Sequence, residues 1–410
     1  MFFPTLYLIF IFGGLVPVYV LFWMHFVMKK RRSMSFIQHI FVFTIGVAIF
    51  CASMIHLESA SALSGVVPTK LEFPIEVKSV RLQDVKVPDE FHHFNPSILR
   101  VDDGKHYIIT LREGNFNNCP MKDEYPKINV FSFNRVLVGV GTSREGPFKL
   151  SFVIEKPYDE NGGRLQGYED ARLIPMGRLD KNGDATDDVG ILVAHKNQLL
   201  FFRYNVRFDA RGRSFFTKQG NESQVRLIDS REGEKQKNWM FIPPRDIKHV
   251  QETARFVQWI NPLTVVEMNS NGVAHVLYKA PYISCIAPSV HGSTNFLREP
   301  DNPRKLFGLV HMRYDSYSFV AIPFYNSAIV EIEESEDGQR YHIIGMSNDF
   351  RFPASNEVNK SHRIHFPMSM MYTDSKKDTV SISMGYMDCT AHIVTVKTSD
   401  FLKSIKSFYC

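Results

Sequence analysis

Two long apolar runs open the chain, Phe2 to Met28 and about Phe36 to Ile55, separated by Lys29, Lys30, Arg31 and Arg32. A spanning helix needs roughly 20 apolar residues, and both runs meet that length. A cleaved signal peptide is the competing interpretation of one run, but both cores exceed the roughly 7–15 residues of a signal h-region. The basic cluster is expected to stay cytosolic by the positive-inside rule, which puts everything after Ile55 on the far side of the membrane. Met28 opens Met-Lys-Lys-Arg-Arg-Ser-Met directly before the second run. Initiation there would leave a single-pass anchor with the same orientation. Residues 1–56 therefore read as a membrane anchor, 57–85 as a stem and 86–410 as the folded domain.

Beyond the stem, helix-period patterns give way to short runs rich in Val, Ile, Phe and Tyr, set between Gly, Asn, Asp and Pro. Such runs are Tyr107 to Leu111, Val136 to Val140, Gly190 to Ala194, Leu199 to Tyr204, Val273 to Tyr278, Leu306 to His311, Ser318 to Ile322 and Val380 to Met384. Asp102-Asp103-Gly104 reads as a hairpin turn. Strands without helices predict a sandwich, barrel or propeller. Segments beginning near Asn95, Glu169, Asn261, Ser293 and Pro367 share a polar or tight-turn start followed by an apolar strand. Five such units over about 320 residues average roughly 60 each, long for four-stranded blades but compatible with loop insertions. The pattern predicts an all-β fold, a five-bladed β-propeller preceded by one or two transmembrane helices. Its site would lie where the inner strands converge on the central channel.

Charge and cysteine content refine this picture. Taking the four basic residues of the cluster from the 48 Lys and Arg leaves 44 against 43 acidic residues, so the basic balance belongs to the anchor. No nucleic-acid surface is implied. Of five cysteines, Cys51 falls in a membrane run, while Cys119, Cys285, Cys389 and Cys410 are available for disulfides in an oxidising lumen. Four cysteines allow three pairings, and the sequence does not choose among them. Asn221-Glu-Ser and Asn359-Lys-Ser are glycosylation sequons that fit the same compartment.

Four polar clusters could carry chemistry. Gly167-Tyr168-Glu169-Asp170-Ala171-Arg172-Leu173 places adjacent carboxylates and a cation at a strand start, with Asp170 and Arg172 on one face. An Asp accepts from sugar hydroxyls and an Arg fork suits phosphate, although a structural salt bridge is an equal alternative. In Gln236-Lys237-Asn238-Trp239-Met240-Phe241-Ile242-Pro243, Lys237 offers a point charge, while Trp239 serves either a sugar ring or, more commonly, the core. The strand Leu306 to Tyr314 ends in His311, Arg313 and Tyr314, and Asp388 follows the strand that ends in Gly385-Tyr386. His92, His93 and His275 lack metal-ligand spacing and there is no Cys-x-x-Cys pair, so no zinc site is expected. A Gly-rich phosphate loop and an Asp-x-Asp metal signature are also missing.

In order and spacing these motifs resemble the five-bladed propeller β-mannoside phosphorylases and mannosidases, with their relatives among β-1,2-mannosyltransferases, over about residues 90 to 395. Phe94-Asn95-Pro96-Ser97 is similar to the family's Asn-Pro opening of the first blade, and Tyr107 to Glu113 to its next strand with the terminal Arg112. Glu169-Asp170-Ala171-Arg172 resembles its Glu-Asp-Pro-Arg, with Ala in place of Pro, and Lys237-Asn238 to Pro243 its Lys-Asn-aromatic-Pro strand. Gly292-Ser293-Thr294 and Gly308 to His311 resemble its fourth-blade turn and strand. The resemblance implies that Arg172, Lys237 and His311 contact phosphate, free or within a sugar-phosphate donor, that Asp170 binds the mannosyl ring, and that Arg112 sits beside them. Asn95, Asn238 and Tyr314 complete the expected substrate-binding set.

One departure matters. The family's phosphorylases carry a general-acid Asp between the Leu-Arg-Glu-like strand and the next; here Asn129 to Asn134 contains no acid, and Asp123 and Glu124 lie in the loop before it. A transferase with a phosphate leaving group needs a base for the acceptor hydroxyl rather than an acid for a glycosidic oxygen. The expectation is therefore a membrane-anchored Golgi or endoplasmic-reticulum glycosyltransferase, lumenal and mannosyl-transferring, with Glu169, Asp123 or Asp388 as base and Asp170 orienting the sugar. Its partners would be a glycan acceptor and a sugar-phosphate or nucleotide-sugar donor. No other cofactor is implied, and the need for a divalent metal stays open. A mannoside phosphorylase or hydrolase and a non-catalytic glycan-binding propeller are the competing functions.

Overall fold

The computed structural model describes residues 69–70, 75–83, 85, 91–115, 132–156, 165–176, 188–196, 198–228, 237–245, 253–287, 289–314, 324–352, 364–386 and 388–407, all within the compact unit Val67–Cys410. The two apolar runs and Asp123 lie outside them. Among the described residues no helix is long and apolar enough to cross a membrane.

The described strands form five sheets. Blade 1 is built from His92–Val101, His106–Gly114, Ser132–Gly141 and Phe148–Ile154, and blade 2 from Glu169–Met176, Asp188–His195, Gln198–Phe208 and Ser214–Lys218. Met240–Ile242, Thr253–Trp259, Thr264–Asn269 and Val273–Lys279 make blade 3. Val290–Gly292, Lys305–Tyr314, Phe324–Glu334 and Tyr341–Ser347 make blade 4, and His365–Tyr372, Thr379–Tyr386 and Thr390–Lys397 make blade 5. In each blade the successive strands named pair antiparallel.

Five apolar clusters lie between the sheets, and their membership gives the sheets a cyclic order. Val136 and Val138 of blade 1 pack with Leu173 and Ile191 of blade 2. Ile174 and Phe201 of blade 2 pack with Trp239 and Phe256 of blade 3, whose Val257 and Val265 pack with Leu306 and Val310 of blade 4. Phe307 and Ile329 of blade 4 meet Met370 and Ile382 of blade 5, and Ile393 of blade 5 meets Ile109 and Leu137 of blade 1. The last contact closes the ring, so the five sheets are the blades of a propeller. Each interior strand is covered on both faces, which is why His106–Gly114 is almost wholly buried. The outer strand Ser214–Lys218 is partly or fully exposed throughout.

Residues counted as stem contribute to the sheets. Thr69–Lys70 pairs parallel with Phe350–Arg351 in blade 4, Glu76–Ser79 antiparallel with Thr390–Lys397 in blade 5, and Leu82–Gln83 parallel with Phe148–Ile154 in blade 1. The chain thus lays down three edge strands before beginning its first blade, and the C-terminal strand of blade 5 is held by an N-terminal one. Asp102–Gly104 is the expected turn, with Asp102 and Gly104 at positive φ. Blade 3 does not start near Asn261. Its inner strand is Met240–Ile242, and Asn261 lies between the second and third strands, where its amide donates to the Ile283 and Ile286 carbonyls. A three-residue inner strand is too short to register as a period. The predicted strand Ser318 to Ile322 falls outside the described residues.

Candidate functional site

The inner strands bring the polar clusters to one end of the channel. Asn95, Asp170 and Asn238, near the starts of the inner strands of blades 1, 2 and 3, all have positive φ, at 49°, 48° and 63°, and Asp388 of blade 5 has 51°. Asn and Asp tolerate this left-handed region best among residues with a Cβ, yet it still costs free energy that the surrounding structure must offset. At Asn95 the cause is visible. Pairing with His106–Gly114 slips by one residue between Phe94 and Ser97, and the resulting bulge turns Asn95 out of the ladder. Gly385 of blade 5 makes room for it, because a Cβ there would collide with the Asn95 amide oxygen.

Asp170 is the hub of the first group. Its Oδ1 accepts from Asn95 Nδ2 at 2.8 Å and from Arg112 Nη1 at 3.1 Å. Arg112 also donates from Nε to Asn134 Oδ1 at 2.8 Å, lies 3.7 Å from Glu169 Oε2, and rests over the Phe94 ring at 5.0 Å. Glu169 Oε2 is in turn 3.8 Å from Lys237 Nζ. Burial alone would raise the Asp170 pKa, but Arg112, Lys237, the Asn95 amide and Arg172 outweigh it and hold the carboxyl below its usual range. Asp170 is therefore an ionised acceptor for hydroxyls and is not suited to carry protons near neutrality. Burial depresses Arg112, but the charges of Glu169, Asp170 and Asp388 outweigh that and raise it. Asp388 thus belongs to the same electrostatic group.

The second group lies across the channel. Arg172 reaches from blade 2 to the carbonyls of Ser293 in blade 4 and Met368 in blade 5, the latter at 3.1 Å. Burial pushes its pKa down to about 10, with Asp170 opposing. Its Nη2 is buried and has no hydrogen-bond partner among the described residues. His311 is 3% exposed and ringed by His291, Tyr325 and Phe366, with centroids 5.7, 5.5 and 5.0 Å away. Burial, reinforced by His291 and Arg172 against the pull of Asp170 and the Gly292 carbonyl, lowers its pKa to about 3. Its Nδ1 also has no partner among the described residues.

The expected residues thus divide. Asn95, Arg112, Glu169, Asp170, Lys237 and Asp388 form one interacting group, and Arg172 and His311 act on it from across the channel. Asn238 shares the backbone device at the start of blade 3. Tyr314 closes its strand opposite Phe324, and its side chain is not described. Trp239 is 1% exposed in the core between blades 2 and 3, so it offers no sugar platform. No group of His, Cys, Asp and Glu suited to a metal occurs among the described residues. Cys285 and Cys389 are each disulfide-bonded. The sequence pattern missed the His93–Glu113 pair, whose Nε2 to Oε2 distance is 2.8 Å and which lies on the opposite face of blade 1 from Arg112. Its members are 20 positions apart and meet only through strand register.

No protein-family model matches the chain, and no curated protein matches it. Several solved structures do. A mannose phosphorylase from Leishmania mexicana in complex with phosphate is 11% identical, covering 87% of this chain and 96% of its own, with a TM-score of 0.45. A β-1,2-mannobiose phosphorylase from Listeria innocua in complex with β-1,2-mannobiose is 13% identical, covering 78% and 95%, with a TM-score of 0.47. A GDP-Man-dependent mannosyltransferase from Leishmania mexicana is 11% identical, covering 84% and 94%, with a TM-score of 0.42. These are kinds of protein that the sequence motifs resemble.

Proposed function

We propose that this chain is a glycosyltransferase that moves a sugar, mannose on the motif resemblance, from a phosphate-activated donor to a glycan hydroxyl. The observation that carries this reading is a pair of buried nitrogens without hydrogen-bond partners among the described residues, Arg172 Nη2 and His311 Nδ1, on groups that feel the charge of Asp170. A buried donor without a partner costs about 1–3 kcal/mol, and a cationic one more, which a bound anion removes. Asn95 Oδ1 is likewise buried and unpartnered among the described residues. Asp170, whose Oδ1 accepts from Asn95 and Arg112, offers the hydroxyl-binding acceptor beside them. One wall thus suits a polyol and the other a phosphate.

In the reaction the bond from the anomeric carbon to the phosphate oxygen breaks, and its electron pair leaves with the phosphate. The acceptor oxygen bonds to that carbon and its proton passes to a base. Arg172 and Lys237 stabilise the charge that grows on the leaving phosphate, in an arrangement fixed beforehand by the Ser293 and Met368 carbonyls and by Glu169. Asp170 holds the sugar hydroxyls. Phosphorolysis of a mannoside is the same chemistry run backwards, and the enclosure of Arg172 and His311 favours a small anion such as inorganic phosphate. A glycan-binding propeller without activity has no use for the buried Arg172 guanidinium with a donor left over. Residues 1–56 would anchor the chain with the propeller in the Golgi or endoplasmic-reticulum lumen. The Lys29 to Arg32 cluster and the disulfide-bonded Cys285 and Cys389 support that placement.

Full-length protein in detergent, melted with GDP-mannose, mannose 1-phosphate and inorganic phosphate, tests this. A ligand at 100 times its Kd stabilises by about 2.7 kcal/mol. Stabilisation by an activated sugar, lost in Arg172→Met and Lys237→Met, and label transfer to a mannoside support the transferase. Release of mannose 1-phosphate from a β-mannoside and phosphate would select the phosphorylase. Binding of a glycan alone would leave the glycan-binding propeller.

A further inference from the structure

Asn221-Glu222-Ser223 has no part in sugar transfer, yet it has the Asn-x-Ser pattern to which oligosaccharides are attached. It lies on the outer side of blade 2, in a turn between the edge strand Ser214–Lys218 and the short strand Ser223–Gln224, which pairs with Leu200 and Phe201. The backbone is fixed on both flanks. Gln219 N–H donates to the Arg203 carbonyl at 2.8 Å, and Val225 N–H to the Leu199 carbonyl at 2.9 Å. Between these anchors Gly220, Asn221 and Glu222 are all exposed, and Ser223 is half-buried. Gly220 turns the chain at a φ of 73°, and a Cβ there would meet nothing within 4 Å, so the turn stands clear of the fold. Glu222 Oε2 accepts from the Tyr168 hydroxyl at 3.3 Å, which ties the turn to the end of blade 2 where its inner strand Glu169–Met176 begins.

We propose that Asn221 carries an N-linked glycan. The inference rests on the lumenal placement proposed above and is independent of the sugar-transfer chemistry. In the step that attaches the glycan, Asn221 Nδ2 bonds to the anomeric carbon of an oligosaccharide carried on a lipid diphosphate. The bond from that carbon to the diphosphate oxygen breaks, its electron pair leaves with the diphosphate, and one amide proton passes to a base of the transferring enzyme. Three observations carry the inference. First, a bulky, hydrated glycan needs an asparagine that stays in water once the chain has folded, and Asn221 is exposed between exposed neighbours. Second, the fold does not need the sequon's asparagine. The turn is held by the main chain of Gln219 and Val225 and by the Glu222 carboxylate, while Ser223 joins the ladder through its backbone. Third, Cys285 and Cys389 are disulfide-bonded, which fits the oxidising compartment in which such glycans are attached. The other sequon, at Asn359, lies outside the described residues and serves as an internal comparison.

The test uses full-length protein in membranes of eukaryotic cells. Peptide N-glycosidase releases the glycan and leaves aspartate where the modified asparagine stood. Peptide mass spectrometry after treatment is expected to show that conversion at position 221. Asn221→Gln and Ser223→Ala should each migrate faster than wild type by one glycan, whereas Ser223→Thr, which keeps the pattern, should migrate with wild type. All three substitutions lie in an exposed turn, where changes leave the fold intact. Protease digestion of sealed vesicles from the same membranes reports the side of the domain separately. A protected domain with Asn221 unmodified would overturn this proposal alone, and a glycan at Asn359 in that protein would make the failure specific to Asn221. A digested domain would overturn the lumenal placement and this proposal with it. The donor site is read by ligand-induced melting and stands or falls apart from both results.

Discussion

Replacing Asp170 with Asn changes one atom of the hub and removes its central charge. The carboxylate is 12% exposed and serves Asn95 and Arg112 together. Breaking a buried ion pair by removing one partner costs about 3–5 kcal/mol when the other charge is left uncompensated. Arg112 would not be wholly uncompensated, because Glu169 remains 3.7 Å away and Asp388 still acts on it. The expected loss is therefore about 1.5–3 kcal/mol near neutral pH, the range of a hydrogen bond to a charged group. For a unit of this size, with about 2.1 cal/mol/K of unfolding entropy per residue, that lowers Tm by roughly 2–4 °C. The pH dependence follows from the depressed Asp170 pKa. Its contribution is present above the unfolded-state value of 3.8 and is lost as pH falls through the lower folded-state value. Wild type and Asp170→Asn should therefore differ most near neutrality and converge in acid. Melting curves of both full-length proteins at a fixed scan rate from about pH 3 to pH 7, with and without mannose 1-phosphate, measure both effects. Equal Tm values at neutral pH, or an Asp170→Asn protein that binds the sugar phosphate as tightly as wild type, would refute the hub.

Three further outcomes are expected. Arg172→Lys should lose anion binding and melt lower, since a point charge cannot hold the Ser293 and Met368 carbonyls and still present a free donor; titration with phosphate checks it. Gly385→Ala should displace Asn95 and cost about 1–3 kcal/mol, with weaker sugar binding in the folded fraction, as measured by melting and ligand titration. Burial and the neighbouring Glu331 raise the Glu299 pKa to about 7, so its stabilising contribution is complete below the usual 4.5 and lost as pH rises through about 7. Glu299→Gln should therefore melt higher than wild type near pH 8 and match it in acid, by about 1–2 kcal/mol after allowance for partial solvent screening.

Fold class was legible because its cause is local. Val-, Ile- and Phe-rich segments such as Val136 to Val140 and Val380 to Met384 lie in interior strands covered on both faces. Blade positions were less legible where the inner strand shrinks to Met240–Ile242 and a polar turn at Asn261 imitates a blade start. The hub was visible as the Glu169-Asp170-Ala171-Arg172 string. What escaped was every relation made by register or by ring closure. Arg172 reaches two carbonyls more than 100 positions away, at Ser293 and Met368. His93 meets Glu113 because a hairpin aligns them, not because of any motif. Trp239 shows the converse limit, since an aromatic beside Lys237 and Asn238 carries no local sign of which face it will take.

The central claim is that sugar and anion occupy two sides of one channel, Asp170 with Asn95 and Arg172 with His311. Calorimetric titration of inorganic phosphate and of mannose 1-phosphate into wild type, Asp170→Asn and Arg172→Met tests it most directly. The account predicts that Arg172→Met abolishes binding of both ligands, while Asp170→Asn keeps phosphate binding and weakens mannose 1-phosphate at least about tenfold, or 1.4 kcal/mol. Phosphate binding unaffected by Arg172→Met, or mannose 1-phosphate binding unaffected by Asp170→Asn, would contradict it.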